Sequence, residues 1–134
     1  MCKIVNIYSG KHFLHSTKPE ITVTVDGIKH PVGGVSGQFG HTFIDSSWYG
    51  KFCKSEGFNF EKYEIDKVKR EIVWKKRRHS SSATYPPEGI CLKAYFTSEK
   101  PELSGIKICV KHELFDGLQT FGKSFEIINE SGKT

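Results

Sequence analysis

Apolar positions recur along this chain with a period of two rather than 3.6, the spacing that predicts strands in place of helices. Ile21, Val23 and Val25 alternate with Thr22 and Thr24, and Asp26-Gly27 follows as a pair suited to a tight hairpin turn. The return segment, Ile28 to Val32, carries Pro31, which donates nothing to a ladder and so places this strand at an edge. Alternation is strongest after Gly89. Ile90, Leu92, Ala94 and Phe96 share one face opposite Cys91, Lys93 and Tyr95. Ile106, Ile108, Val110, His112 and Leu114 likewise oppose Lys107, Cys109, Lys111 and Glu113, and a last run from Phe121 to Ile128 follows the Asp116-Gly117 turn. Phe58, Phe60 and Tyr63 begin a further strand, and the polar stretch Asp66 to Arg70 before Glu71-Ile72-Val73-Trp74-Lys75 predicts a second hairpin. About eight short strands at this turn spacing predict an all-β fold, an antiparallel β-sandwich.

Breakers separate these runs. Gly33 to Gly40 holds four glycines in eight residues and reads as a loop. His79 to Thr84 is Ser-rich, and Tyr85-Pro86-Pro87-Glu88-Gly89 forms a rigid turn because proline fixes its own backbone and pushes its predecessor toward extended geometry. Phe43 to Cys53, with Trp48, Tyr49 and Phe52, fits a short helical turn or an irregular strand equally well.

With 134 residues, 37% of them apolar, and 10 Phe, 5 Tyr and 2 Trp, the chain reads as one globular unit over 1–134, or as a piece of one. A chain of this length buries roughly two thirds of its unfolded surface, and this aromatic content excludes a disordered polymer. No window approaches the roughly 18 apolar residues of a membrane-spanning helix. Met1 to Gly10 lacks the apolar centre of a secretory leader; a chain cut from a longer precursor would be extracellular or periplasmic.

The net charge of +5 is concentrated in one place. Between Lys67 and His79, Lys67, Lys69, Arg70, Lys75, Lys76, Arg77 and Arg78 face a single acid, Glu71. The run Lys75-Lys76-Arg77-Arg78 reads as a solvated strand end or as a site for an anionic partner, glycan or nucleic acid. Nucleic acid is the weaker choice, since no aromatics are set among the cations on a sheet face. Cys2, Cys53, Cys91 and Cys109 form no Cys-x-x-Cys pair, so neither a zinc ribbon nor a thiol redox motif is expected. Cys91 and Cys109 lie in neighbouring predicted strands where a bridge is conceivable, with packed free thiols the expected state.

Reactive constellations are absent by spacing. Ser131-Gly132-Lys133-Thr134 would need a glycine where Ile127 stands to form a phosphate loop. His30, His41, His79 and His112 show no ligand spacing, and Ser80 to Ser82 beside His79 make no nucleophile elbow. Asp45, Asp66, Glu88, Glu113 and Asp116 form no evident pair for glycosidic hydrolysis, Glu113 and Asp116 being explained by their place at a strand-to-turn junction. No catalytic residue, metal or cofactor is therefore predicted. Trp48, Trp74 and Tyr85 are candidates for stacking on the apolar face of a sugar ring, with His79 in the adjoining loop as a polar companion.

Trp74-Lys75, Arg78-His79, Tyr85-Pro86-Pro87-Glu88-Gly89-Ile90-Cys91-Leu92, Ile108 to Leu118 and Lys123-Ser124-Phe125-Glu126-Ile127-Ile128-Asn129 together form a longer pattern. It resembles the amino-terminal β-super-sandwich, galactose mutarotase-like in fold, that precedes the catalytic barrel in alpha-galactosidase-like glycoside hydrolases. Tyr85 stands where that pattern has tryptophan, Thr120 lies near an expected proline, and Phe125 falls near a second tryptophan. The resemblance implies an incomplete super-sandwich, without the barrel or its two carboxylates. Its implied function is accessory and non-catalytic: supporting a glycoside hydrolase-like enzyme and shaping its sugar site, with Gly33 to Asp45 or His79 to Tyr85 as the contributing loops. The implied partners are a carbohydrate and the absent barrel. The rival reading is a self-standing module whose basic hairpin binds an anionic glycan or nucleic acid. A small hydrolase using His79 or His112 with Ser80 or Asp116 lacks the motif spacing it would need.

Overall fold

The computed structural model describes residues 2–5, 12–16, 18–34, 55–80 and 84–132, with side chains described from residue 18 onward. Within them the regular structure is eight strands and two single 3-10 turns, Arg78–Ser80 and Pro101–Leu103. The strands are β1 (Cys2–Val5), β2 (His12–Ser16), β3 (Ile21–Val25), β4 (Ile28–Val32), β5 (Asn59–Lys67), β6 (Gly89–Thr97), β7 (Ile106–Phe115) and β8 (Phe121–Asn129). All these strand pairs are antiparallel, and the described residues are all-β, with no α-helix among them. β1 pairs with β2, β3 with β4, and β5-β6-β7-β8 form a four-stranded meander. Among the described residues no helix is long and apolar enough to cross a membrane.

The segments read from period-two alternation form β3, β6 and β7, and the expected return strand and final run form β4 and β8. Asp26 (φ 49°) and Gly27 (φ 79°) take the left-handed backbone that a two-residue turn requires, joining Val25 directly to Ile28 across the ladder. β4 is an edge strand, as Pro31 requires. Its carbonyl still works, accepting from the Phe58 N–H at 2.8 Å while the Gly33 N–H donates to the Phe58 carbonyl at 2.8 Å. This clip lays the β3-β4 hairpin on one face of the large sheet. Val23 and Val32 then share a core with Phe58, Phe96, Leu103, Ile108 and Val110. β1 and β2 were not visible as alternation, because Ile4-Val5 and Phe13-Leu14 put apolar residues side by side.

The expected second hairpin does not form. β5 pairs with β6, from Asn59 opposite Thr97 to Lys67 opposite Ile90, and residues 68–77 contain no strand. Nine residues of well-alternated β6 offer a longer ladder than Glu71–Lys75, whose apolar residues are consecutive and cannot all face one side.

Register divides the sheet into two faces. On the hairpin's face, β6 and β7 are covered in their middle, but Phe60, Tyr63, Ile65, Ile90, Leu114, Phe125 and Ile127 around that patch are 42–65% exposed. The opposite face carries Cys91 and Cys109, both free and buried. Cys109 stands opposite Tyr95, four residues along β6 from Cys91. That offset is about 13 Å at strand rise, beyond disulfide reach. The conceivable bridge is thus ruled out by register, and burial pushes both thiols up from the ordinary cysteine range.

Candidate functional site

Lys111 lies in the central strand β7 on this second face, and its side chain is only 7% exposed. An ammonium in such a place requires carboxylate partners. Glu126 of β8 accepts from its Nζ at 2.5 Å, and Glu71 does so from the crossing segment. Burial alone would lower the Lys111 pKa; the Glu126 and Glu71 hydrogen bonds outweigh it and hold the group well above the usual lysine range. The pair with Glu71 also has a mechanical effect, tying residues 68–72 down beside the sheet.

A cavity of about 360 Å³ results, within the size range of small-ligand sites. Glu113, Phe115 and Ser124 of β7 and β8 line it on the sheet side, Glu71 and Ile72 on the segment side, and Tyr85-Pro86-Pro87 completes the lining. Tyr85 is held in turn by Trp74, whose ring stacks on it with centroids 5.6 Å apart and 26° between planes. Gly122 in β8 makes room for the acid: a Cβ there would come within 2.9 Å of the Glu113 carboxylate.

The polar lining is close to neutral in effect. Lys69 and Lys123 touch the cavity, but their ammonium groups are engaged by Asp66 at 2.6 Å and by Glu20 at 2.7 Å. Burial, with Glu71 adding to it, pushes the Glu113 carboxyl up from its ordinary value, so it keeps its proton to higher pH. The Ser124 hydroxyl is shielded from solvent and has no hydrogen-bond partner among the described residues. A buried hydroxyl without a partner is the kind of group a bound molecule satisfies.

A second, open depression of about 300 Å³ is lined by Val73, Trp74, Lys75 and Arg77. The Arg70 guanidinium donates to the carbonyls of Ile72 at 3.3 Å and Trp74 at 3.4 Å, bracing this turn of chain.

Of the predicted residues, Trp74 and Tyr85 come together at the two depressions, and Lys75 and Arg77 join Trp74 at the second. Lys76 and Arg78 are exposed outside it. His79 sits exposed at the 3-10 turn and is not among the residues lining either depression. Trp48 lies outside the described residues. Sequence reasoning passed over Glu71, Glu113 and Ser124. For Glu113 and Ser124 the signal is polar alternation, Lys111-x-Glu113 in the inner strand β7 and Ser124-x-Glu126 in the edge strand β8, which acquires meaning only once β7 and β8 are aligned. Among the described residues no group of three or more His, Cys, Asp or Glu is placed to hold a metal ion.

His112, on the hairpin side of β7, is buried, stacks on Phe121 at 5.5 Å and approaches Glu20 at 3.5 Å, while its Nδ1 has no partner among the described residues. Burial lowers its pKa from 6.5 and Lys123 adds to that, against the opposing pull of Glu20. A base whose folded pKa is depressed contributes stability above its unfolded pKa and loses it as pH falls toward the folded value. Urea unfolding at pH 7.5 and 5.5 is therefore expected to show a drop in stability that His112→Phe reduces; an equal drop in both proteins would refute the assignment.

Comparison of the chain with family models, with curated proteins and with solved structures yielded no match.

Proposed function

We propose that this chain is a non-catalytic, carbohydrate-binding β domain, the accessory portion of a glycoside hydrolase-like assembly. It holds a saccharide ring against Tyr85 and presents its open apolar sheet face to the layer that completes a galactose mutarotase-like super-sandwich. The observation that carries this reading is the composition of the Tyr85 cavity. A braced aromatic ring offers a flat apolar surface, while Glu113, Glu71 and the partnerless Ser124 hydroxyl stand nearby as hydrogen-bonding groups. A pyranose has the complementary character, with C–H faces to stack and hydroxyls at its edge that both donate and accept. The lysines at the cavity are already paired, which favours an uncharged ring there over an anion. Binding is favoured over hydrolysis because Glu71 is committed to Lys111, leaving Glu113 without a second available carboxylate in the cavity lining among the described residues.

Calorimetric titration with galactose and short neutral galactosides tests the reading. Binding is expected to weaken at least about tenfold in Tyr85→Ala and to recover largely in Tyr85→Phe, since the ring face rather than the hydroxyl carries the stacking. Affinity should change by less than about twofold between 50 and 500 mM NaCl, because an uncharged ligand releases few counterions. Affinity unchanged when both Trp74 and Tyr85 are replaced by Ala, in variants whose circular dichroism matches the parent, would refute it.

A further inference from the structure

We infer that the saccharide held against Tyr85 carries an amine, its ammonium paired with the Glu113 carboxylate of the same cavity. The inference rests on the saccharide reading of that cavity and adds the ligand's charge. The register of β7 on β8 sets Glu113 opposite Gly122. A Cβ on Gly122 would come within 2.9 Å of the Glu113 carboxylate and 3.4 Å of the Phe115 ring, so the acid occupies space that any other residue at 122 would take. Glu113, Phe115 and Gly122 all line the cavity. Of the two acids in that lining, Glu71 is bound to Lys111, whereas Glu113 has no ion pair and accepts no hydrogen bond among the described residues.

The charges around Glu113 do not balance it. Lys111, two residues away on the same sheet face, is a single ammonium between two carboxylates, Glu71 and Glu126. Lys123 is engaged by Glu20, and Lys69 by Asp66, with 65% of the Lys69 side chain in solvent where water and salt screen it. Burial and the charge of Glu71 both disfavour the ionised form of Glu113. An ammonium in the cavity offsets both, because it brings the opposite charge together with three donors. A sugar hydroxyl brings a donor without the charge, and a sulfate or uronate adds to the repulsion. The Tyr85 ring acts in the same sense, since the face on which a sugar stacks also attracts positive charge. An amino sugar therefore unites the apolar face that the ring takes with the cation that the acid lacks.

Calorimetry on the whole chain compares methyl galactoside with its 2-amino and 6-amino derivatives, the N-acetylated forms of both, and methyl galactoside 6-sulfate. At pH 7 and 50 mM NaCl at least one amino probe is expected to bind at least about tenfold tighter than the neutral and sulfated probes, and N-acetylation is expected to erase the advantage. The better of the two amines identifies which edge of the ring faces Glu113. At 500 mM NaCl the advantage should shrink at least about threefold. Glu113→Gln, nearly equal in shape, should bring the amino and neutral probes within about twofold of each other in a variant whose circular dichroism matches the parent. Equal affinity of amino and neutral probes in the parent chain, tightest binding of the sulfate, or an amino advantage that survives Glu113→Gln overturns this inference and leaves the saccharide reading standing. Absence of binding by every galactoside, or binding that replacement of both Trp74 and Tyr85 by Ala leaves unchanged, overturns both.

Discussion

Phe58→Ala is expected to remove about 3–5 kcal/mol of unfolding free energy, the usual cost of deleting a fully enclosed phenylalanine. Phe58 has no exposed surface and lies in the cluster where the hairpin residues Val23 and Val32 meet Phe96, Ile108 and Val110 of the large sheet. Its backbone also clips β4 beside the start of β5 through two hydrogen bonds of 2.8 Å. Because domains of this size keep a margin of only about 5–15 kcal/mol, one truncation takes a large share of it. Phe58→Leu fills most of the space and should cost roughly 1–2 kcal/mol. Urea unfolding followed by tryptophan fluorescence measures both. A loss below about 1 kcal/mol for the alanine variant would mean that the hairpin is not packed on the sheet.

The second expectation concerns the buried ammonium. Removing both its partners, with Glu71→Gln and Glu126→Gln, leaves the charge of Lys111 in a largely dry position. Fully buried pairs cost about 3–5 kcal/mol to break in this manner, and the partial exposure of Glu71 (42%) and Glu126 (56%) reduces the expectation to about 1–2 kcal/mol. Lys111→Met, which removes the charge and keeps the stem, should be nearly neutral. The pH dependence has a defined sign. A lysine whose folded pKa is raised contributes its stability at all pH values below its unfolded pKa, and loses it only as the solution becomes strongly alkaline. Between pH 6 and 8 the difference between parent and double variant should therefore be flat in this group's contribution. The same double variant releases residues 68–72 from the sheet, so saccharide affinity should fall with it. Lys111→Met should lower affinity too, despite its small effect on stability, because it also frees Glu71. Binding untouched in both variants would separate the ion pair from the cavity.

Much of the sheet was legible. The face assignments of β6 and β7, the Asp26-Gly27 turn and the edge position of β4 all follow from local chemistry: side-chain alternation, left-handed backbone, and a missing N–H. The aromatic pair was half legible, since Trp74 and Tyr85 were both candidates but nothing in their spacing placed one ring on the other. The acidic side of the cavity was not legible at all. Glu113 had a sufficient local explanation near a strand end, and Glu71 belonged to a strand that does not form.

Sequence alone thus determined that the chain is built of strands, which side chains of each strand share a face, and where positive charge collects, because each of these depends on neighbours a few residues apart. Tertiary structure decided which strand pairs with β5, that a lysine enters the interior, and that two depressions meet at one aromatic stack. Those outcomes depend on groups far apart in the chain: Glu71 reaches Lys111 across 40 residues, and β5 passes over the nearer Glu71–Lys75 to pair with β6. A periodic pattern states what a strand can bury. Only the competition among all available edges and charges settles what it does bury, and against what.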